Sequence, residues 1–142
     1  MGLERFVEAQ DRGGTYDRAL AELCAGQKTS HWMWFVFPQI AGLGRSETAR
    51  FFVIASLEEA AAFLGHPVLG PRLRACVDAL LGLAGRRTAR EILGETDAMK
   101  LRSSMTLFAR AAPDEPRFAE VLDRYFDGQA DPATDRALAQ AR

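Results

Sequence analysis

Two stretches of this chain concentrate the residue types that can do chemistry. One is Lys28-Thr29-Ser30-His31-Trp32-Met33-Trp34-Phe35-Val36-Phe37-Pro38-Gln39. The other runs from Asp97 to Phe108 and carries Asp97, Lys100 and Ser104. The first holds both tryptophans and one of the two histidines. So apolar a run must be mostly buried, which carries Lys28, Ser30, His31 and Gln39 to the edge of a hydrophobic centre. There they either satisfy structural hydrogen bonds or line a site. An imidazole changes charge near neutral pH, so His31 is a candidate acid or base. The structural alternative is a histidine at a helix start, with Ser30 as N-cap. Trp32 and Trp34, two residues apart, point to different sides of a helix. Either both are core, or Trp34 lines a cleft and stacks on a flat ligand.

The second stretch reads as a helix opened by Asp97. At about 100° per residue from Asp97, Ser104 falls near −20° and Lys100 near −60°, among Leu101, Met105, Leu107 and Phe108. Arg102, Ser103, Thr106 and Arg110 fall on the outward side. Asp97 and Lys100 therefore share the apolar face, where charges must pair, and the i, i+3 spacing lets them pair with each other. Asp97 is either a helix cap or a second acid–base candidate, and Ser104 either bonds back to a carbonyl or lines a polar wall. Of 18 basic residues only two are lysine, Lys28 and Lys100. Both fall in these two stretches, where a compact ammonium is not interchangeable with a guanidinium.

A third segment, Gly42-Leu43-Gly44-Arg45-Ser46, offers anion contacts from Gly44, Arg45 and Ser46, or is simply a turn needing positive φ. It matches neither dinucleotide nor Walker spacing. No His/Cys spacing fits a metal, no G-x-S-x-G elbow marks a serine hydrolase, and no cofactor is expected.

These stretches need a scaffold, and the rest of the chain reads as helices. The 142 residues suffice for one domain with a real core. Apolar periodicity places helices at Leu3–Gln10, from a cap at Thr15 to a stop at Gly26, from Ser56 to Gly65, and from Pro67 or Pro71 through Leu81. Further helices follow Thr88 and Asp97, cover Phe118–Phe126, and begin at Asp131-Pro132. Ser56–Glu59 and Thr88–Glu91 have capping-box spacing. Only Trp32–Phe37 and Phe51–Ala55 are strand candidates. Phe37 precedes a proline, so the tryptophan run is expected to be a short buried helix ending there. The expectation is one all-α domain, residues 1–142, of about six to eight helices. Net charge of −1 gives no footprint for duplex nucleic acid or an anionic membrane. No signal region or membrane span is evident, and Cys24 and Cys76 read as core thiols of a reducing compartment. A cytoplasmic location is expected.

The segments Arg5–Gln10, Lys28–Gln39, Gly42–Ser46, His66–Gly70 and Asp97–Phe108 together resemble the bacterial and fungal family called domain of unknown function 1810. That resemblance spans the chain and implies a mainly helical single domain with no established activity. Some members bear the name calpastatin, but an unfolded polar inhibitor does not fit a chain that is 48% hydrophobic. In size and helical character the chain is also similar to the NADAR N-glycosidases, which act on ribose-linked substrates, though no motif residue matches. Three functions emerge as expectations. The first is a pocket for a small anionic or nucleotide-like ligand, held by Lys28, Arg45 and Lys100, with Trp34 stacking and Gln39 hydrogen-bonding. The second adds hydrolysis of a sugar or acyl bond by His31 or Asp97. The third is a protein-interaction module whose aromatic segment is purely core.

Overall fold

In a computed structural model, which describes residues 2–44 and 46–141, the aromatic side chains trace the core. Phe6, Phe63, Phe108 and Phe118 form a chain of ring contacts with centroids 5.3, 5.5 and 5.7 Å apart. Four helices supply them: α1 (Glu4–Asp11), α5 (Leu57–Gly65), α8 (Glu95–Ala111) and α9 (Arg117–Phe126). The long α8 is the central element and packs on α5, α7 (Ala89–Leu93), α9 and α10 (Pro132–Gln140). Helix α2 (Thr15–Ala25) lies on α6 (Leu69–Leu83). The remaining elements are short: α3 (Met33–Val36), β1 (Gln39–Ile40), α4 (Glu47–Phe51) and β2 (Val53–Ile54). The strands pair in parallel, Gln39 opposite Val53 and Ile40 opposite Ile54. The domain is thus essentially all-helical around one hydrophobic core. Among the described residues the α-helices number ten, including the single turns α3, α4 and α7. Among the described residues no helix is long and apolar enough to cross a membrane.

Local chemistry explains most boundaries. Thr88 and Glu91 form the full capping box of α7. Ser56 caps α5, but Glu59 reaches back to the amide of Ala55, one residue earlier than a capping box requires. Asp131 caps α10, with Pro132 in the first turn. His66 lends its Nδ1 to the amides of Val68 and Leu69, which starts α6. The tryptophan run is helical and stops at Phe37, before Pro38. The Phe51–Ala55 run does contain a strand, β2.

Four expectations are corrected. Helix α8 begins at Glu95 after Gly94, so Asp97 lies inside the first turn and is not its cap. Thr15 is likewise within α2, behind the left-handed Gly14. Ser103 and Thr106 do not face solvent: the segment leading into α10 covers them, Ser103 bonding Asp131 and Thr106 accepting its amide. Cys24 is exposed, whereas Cys76 is buried and its thiol is pushed up to about 12, chiefly by burial.

The C-terminal end of α2 aims the tryptophan segment. Gly26 takes the left-handed conformation at φ 81°, and the amides of Gly26 and Gln27 close onto Leu23 and Glu22 carbonyls. Lys28 N–H then donates to the Ile92 carbonyl at 2.7 Å, docking the tryptophan segment against α7. A Cβ on Gly26 would lie 2.9 Å from the Arg87 side chain. Gly26→Ala is therefore expected to cost roughly 1–2 kcal/mol in denaturant unfolding, from left-handed strain and that contact.

Candidate functional site

The turn between α2 and α3 is built around the carboxylate of Glu22. Its Oε1 accepts the amides of Thr29 (2.8 Å) and Ser30 (3.1 Å) and the indole N–H of Trp32 (2.8 Å). Its Oε2 accepts the Ser30 hydroxyl at 2.6 Å. Burial works to raise this carboxyl's pKa. The bonds from Ser30, Trp32 and Thr29 outweigh burial and lower it to about 2. Ser30 is thus committed to the scaffold, and Trp32, 1% exposed, is core.

Lys28 leaves this turn toward α8. Its Nζ lies 2.9 Å from Asp97 Oδ2, while Lys100 Nζ lies 3.3 Å from Asp97 Oδ1. Both lysines of the protein therefore meet one carboxylate. Each also approaches an indole: Lys28 lies 5.1 Å from the Trp32 ring centre and Lys100 lies 3.9 Å from that of Trp34. The side chains of Lys28, Asp97 and Lys100 are 10, 17 and 21% exposed. Two ammonium groups against one carboxylate leave a surplus positive charge in a half-buried place.

Two hollows open at this cluster. The smaller, about 170 Å³, is lined by Lys28, His31, Trp34, Asp97 and Lys100, with the aromatic segment as its wall. The larger, about 400 Å³, lies between Trp34, Gln39, Gly44, Met99, Lys100 and Asp131. Trp34 and Lys100 belong to both. Gly44 sits too close to α4 for any side chain, since a Cβ would be 2.5 Å from that of Ala49 and 3.6 Å from the Trp34 ring.

The family model for proteins of unknown function DUF1810 matches residues 1–138. The chain belongs to the DUF1810 family. Among solved structures, the DUF1810 chain is similar to the crystal structure of the conserved hypothetical protein Rv1873 from Mycobacterium tuberculosis. The two share 47% identity over 96% of each chain, with a TM-score of 0.91. No curated protein matches.

Of the residues expected to form a site, this DUF1810 fold brings together Lys28, His31, Trp34, Gln39, Gly44, Asp97 and Lys100. His31 is exposed at the rim. Ser30 and Ser46 line neither hollow. The first serves Glu22, and the second caps α4 by accepting the Ala49 amide. Ser104 is fully buried, its hydroxyl has no hydrogen-bond partner, and it too lines neither hollow. Arg45 lies outside the described residues. Sequence reasoning missed Glu22, Thr96, Met99, Ser103 and Asp131. Glu22 had one available signal: it follows Ala19 by three residues on the inward side of α2, a charge where the period calls for an apolar residue. Among the described residues no group of three His, Cys, Asp or Glu side chains could hold a metal ion.

Glu22 makes acid stability predictable. Its folded pKa of about 2 is below the ordinary 4.5, so its contribution is complete above pH 4.5 and fades as pH falls toward 2. Urea unfolding at a series of pH values should show this loss, and Glu22→Gln should flatten it. Glu22→Ala, which strands four donors, should cost about 3–5 kcal/mol at pH 7.

Proposed function

We propose that this protein binds a small anionic, nucleotide-like ligand in the cleft between the tryptophan segment and α8. The supporting observation is the convergence of Lys28 and Lys100 on Asp97, beside a half-buried Trp34. Lys28 and Lys100 offer donors and net positive charge to a phosphate or carboxylate. Trp34 gives a flat apolar surface, and the Gln39 side chain belongs to the same wall. A cytoplasmic setting suits two unbridged cysteines.

A second reading adds hydrolysis, because His31 and Asp97 line the same smaller hollow. Both Asp97 oxygens face ammonium groups. On this reading the exposed His31 is the proton carrier and Asp97 holds the lysines in place.

Because both tryptophans belong to the cluster, intrinsic fluorescence reports on it. Titration with inorganic phosphate, adenosine 5′-monophosphate and ADP-ribose should change the emission and raise the melting temperature. Lys100→Met should weaken that binding at least about tenfold while keeping a cooperative melt, since Asp97 retains Lys28. An unaltered affinity in Lys100→Met, or no response to any of the three compounds, would refute the reading. Hydrolysis predicts a ribose-containing product from ADP-ribose that disappears in His31→Ala; binding without turnover leaves the first reading alone.

A further inference from the structure

The two hollows differ in size and in charge, and the difference specifies the ligand. Binding sites for small molecules commonly measure about 300–1,000 Å³. The charged hollow, about 170 Å³, is below that range, whereas its neighbour, about 400 Å³, is within it. An anionic group therefore fits the first, and any larger body must lie in the second. Trp34 and Lys100 line both hollows, so the two adjoin and a molecule seated in one lies beside the other.

The linings point the same way. The larger hollow has apolar surface from Trp34, Leu43 and the adaptable thioether of Met99, which is 55% exposed. Its polar groups are Gln39, Thr96, Ser103 and Asp131, and Lys100 is its one cation among the described residues. Asp131 Oδ2 is filled by Ser103 Oγ (2.8 Å), Thr134 Oγ1 (2.6 Å) and Thr134 N–H (3.2 Å). Burial acts to raise this carboxyl's pKa, but bonds from Thr134, Ser103 and Ala133 overcome it and hold the group below its usual range. An ionised carboxylate repels a second anion and accepts from hydroxyl or amino donors. The smaller hollow carries a surplus of one positive charge, which offsets part of the roughly −1.5 to −2 that one phosphate monoester carries at pH 7.

We propose that the ligand is bipartite, with a single phosphate group at Lys28 and Lys100 joined to an uncharged, flat, donor-bearing body that fills the hollow beside Asp131. A nucleoside monophosphate has this chemistry, whereas a nucleoside triphosphate brings two further phosphate groups, for which the described linings of the two hollows hold no further lysine or arginine. This inference rests on the anion-binding reading above and adds which part of the ligand lies where.

The experiment compares affinities for inorganic phosphate, the four ribonucleoside 5′-monophosphates and their triphosphates by calorimetry and tryptophan fluorescence. At least one monophosphate should bind about tenfold or more tightly than phosphate, and no triphosphate should bind more tightly than its monophosphate. Thr96→Phe, at an exposed position on the wall of the larger hollow, should reduce the best monophosphate to the level of phosphate and leave phosphate unchanged. Met99→Trp is a second filling variant, and a circular-dichroism melt of each checks folding. Asp131→Asn, which keeps an acceptor for the α10 cap, should favour triphosphates relative to monophosphates. If phosphate binds but no monophosphate gains over it, or the gain survives both filling variants, the bipartite ligand is wrong and the anion site stands. Triphosphates binding more tightly than monophosphates would overturn the single-anion limit. Failure of every compound, phosphate included, overturns both readings.

Discussion

The carboxylate of Glu22 is the contact on which the architecture of the cleft depends. Four donors from Thr29, Ser30 and Trp32 converge on it within one turn. The turn after α2 carries the Thr29 and Ser30 amides, the Ser30 hydroxyl and the buried Trp32 indole N–H, all of which need acceptors. One acceptor-only group answers all of them. It fixes Trp32 in the core, sets the direction of Lys28 and forces Trp34, two residues on, toward the cleft. The Glu22 network is local in sequence, while its product, the approach of Lys28 to Asp97, joins distant parts of the chain.

That long-range approach depends on α7 and the α7–α8 junction. Thr88 and Glu91 start α7, Gly94 ends it with positive φ, and Ile92 accepts the Lys28 amide. Asp97 then sits in the first turn of α8, level with the incoming lysine. Neither Lys28 nor Asp97 is placed by its own neighbours alone. Each is delivered by a capped helix end, which is why short, well-capped turns recur around this cleft.

Much of this was legible in the sequence, and for identifiable reasons. Caps are local chemistry, so Thr88, Asp131-Pro132 and Gly26 announced their helices. Phe37 before Pro38 ended α3, and the wheel put Asp97 and Lys100 on one face at pairing distance. The losses were of another kind. Ser103 and Thr106 looked outward because periodicity assumes one apolar face, whereas α10 approaches α8 through hydrogen bonds. Ser30 and Ser46 had the right types for a ligand but were already engaged by Glu22 and by α4. Their partners are set by folded geometry, which spacing does not encode. The meeting of Lys28 with Lys100 across Asp97 is tertiary and had no local signal.

The lysine pair has a thermodynamic consequence. A free lysine samples many rotamers, and ordering such a side chain at an interface costs about 0.5–1.5 kcal/mol. Here Asp97 and the two indoles hold both ammonium groups before anything arrives. The rotational entropy of these two flexible cationic arms is therefore surrendered during folding, so on the proposed reading an incoming anion meets donors already at rest.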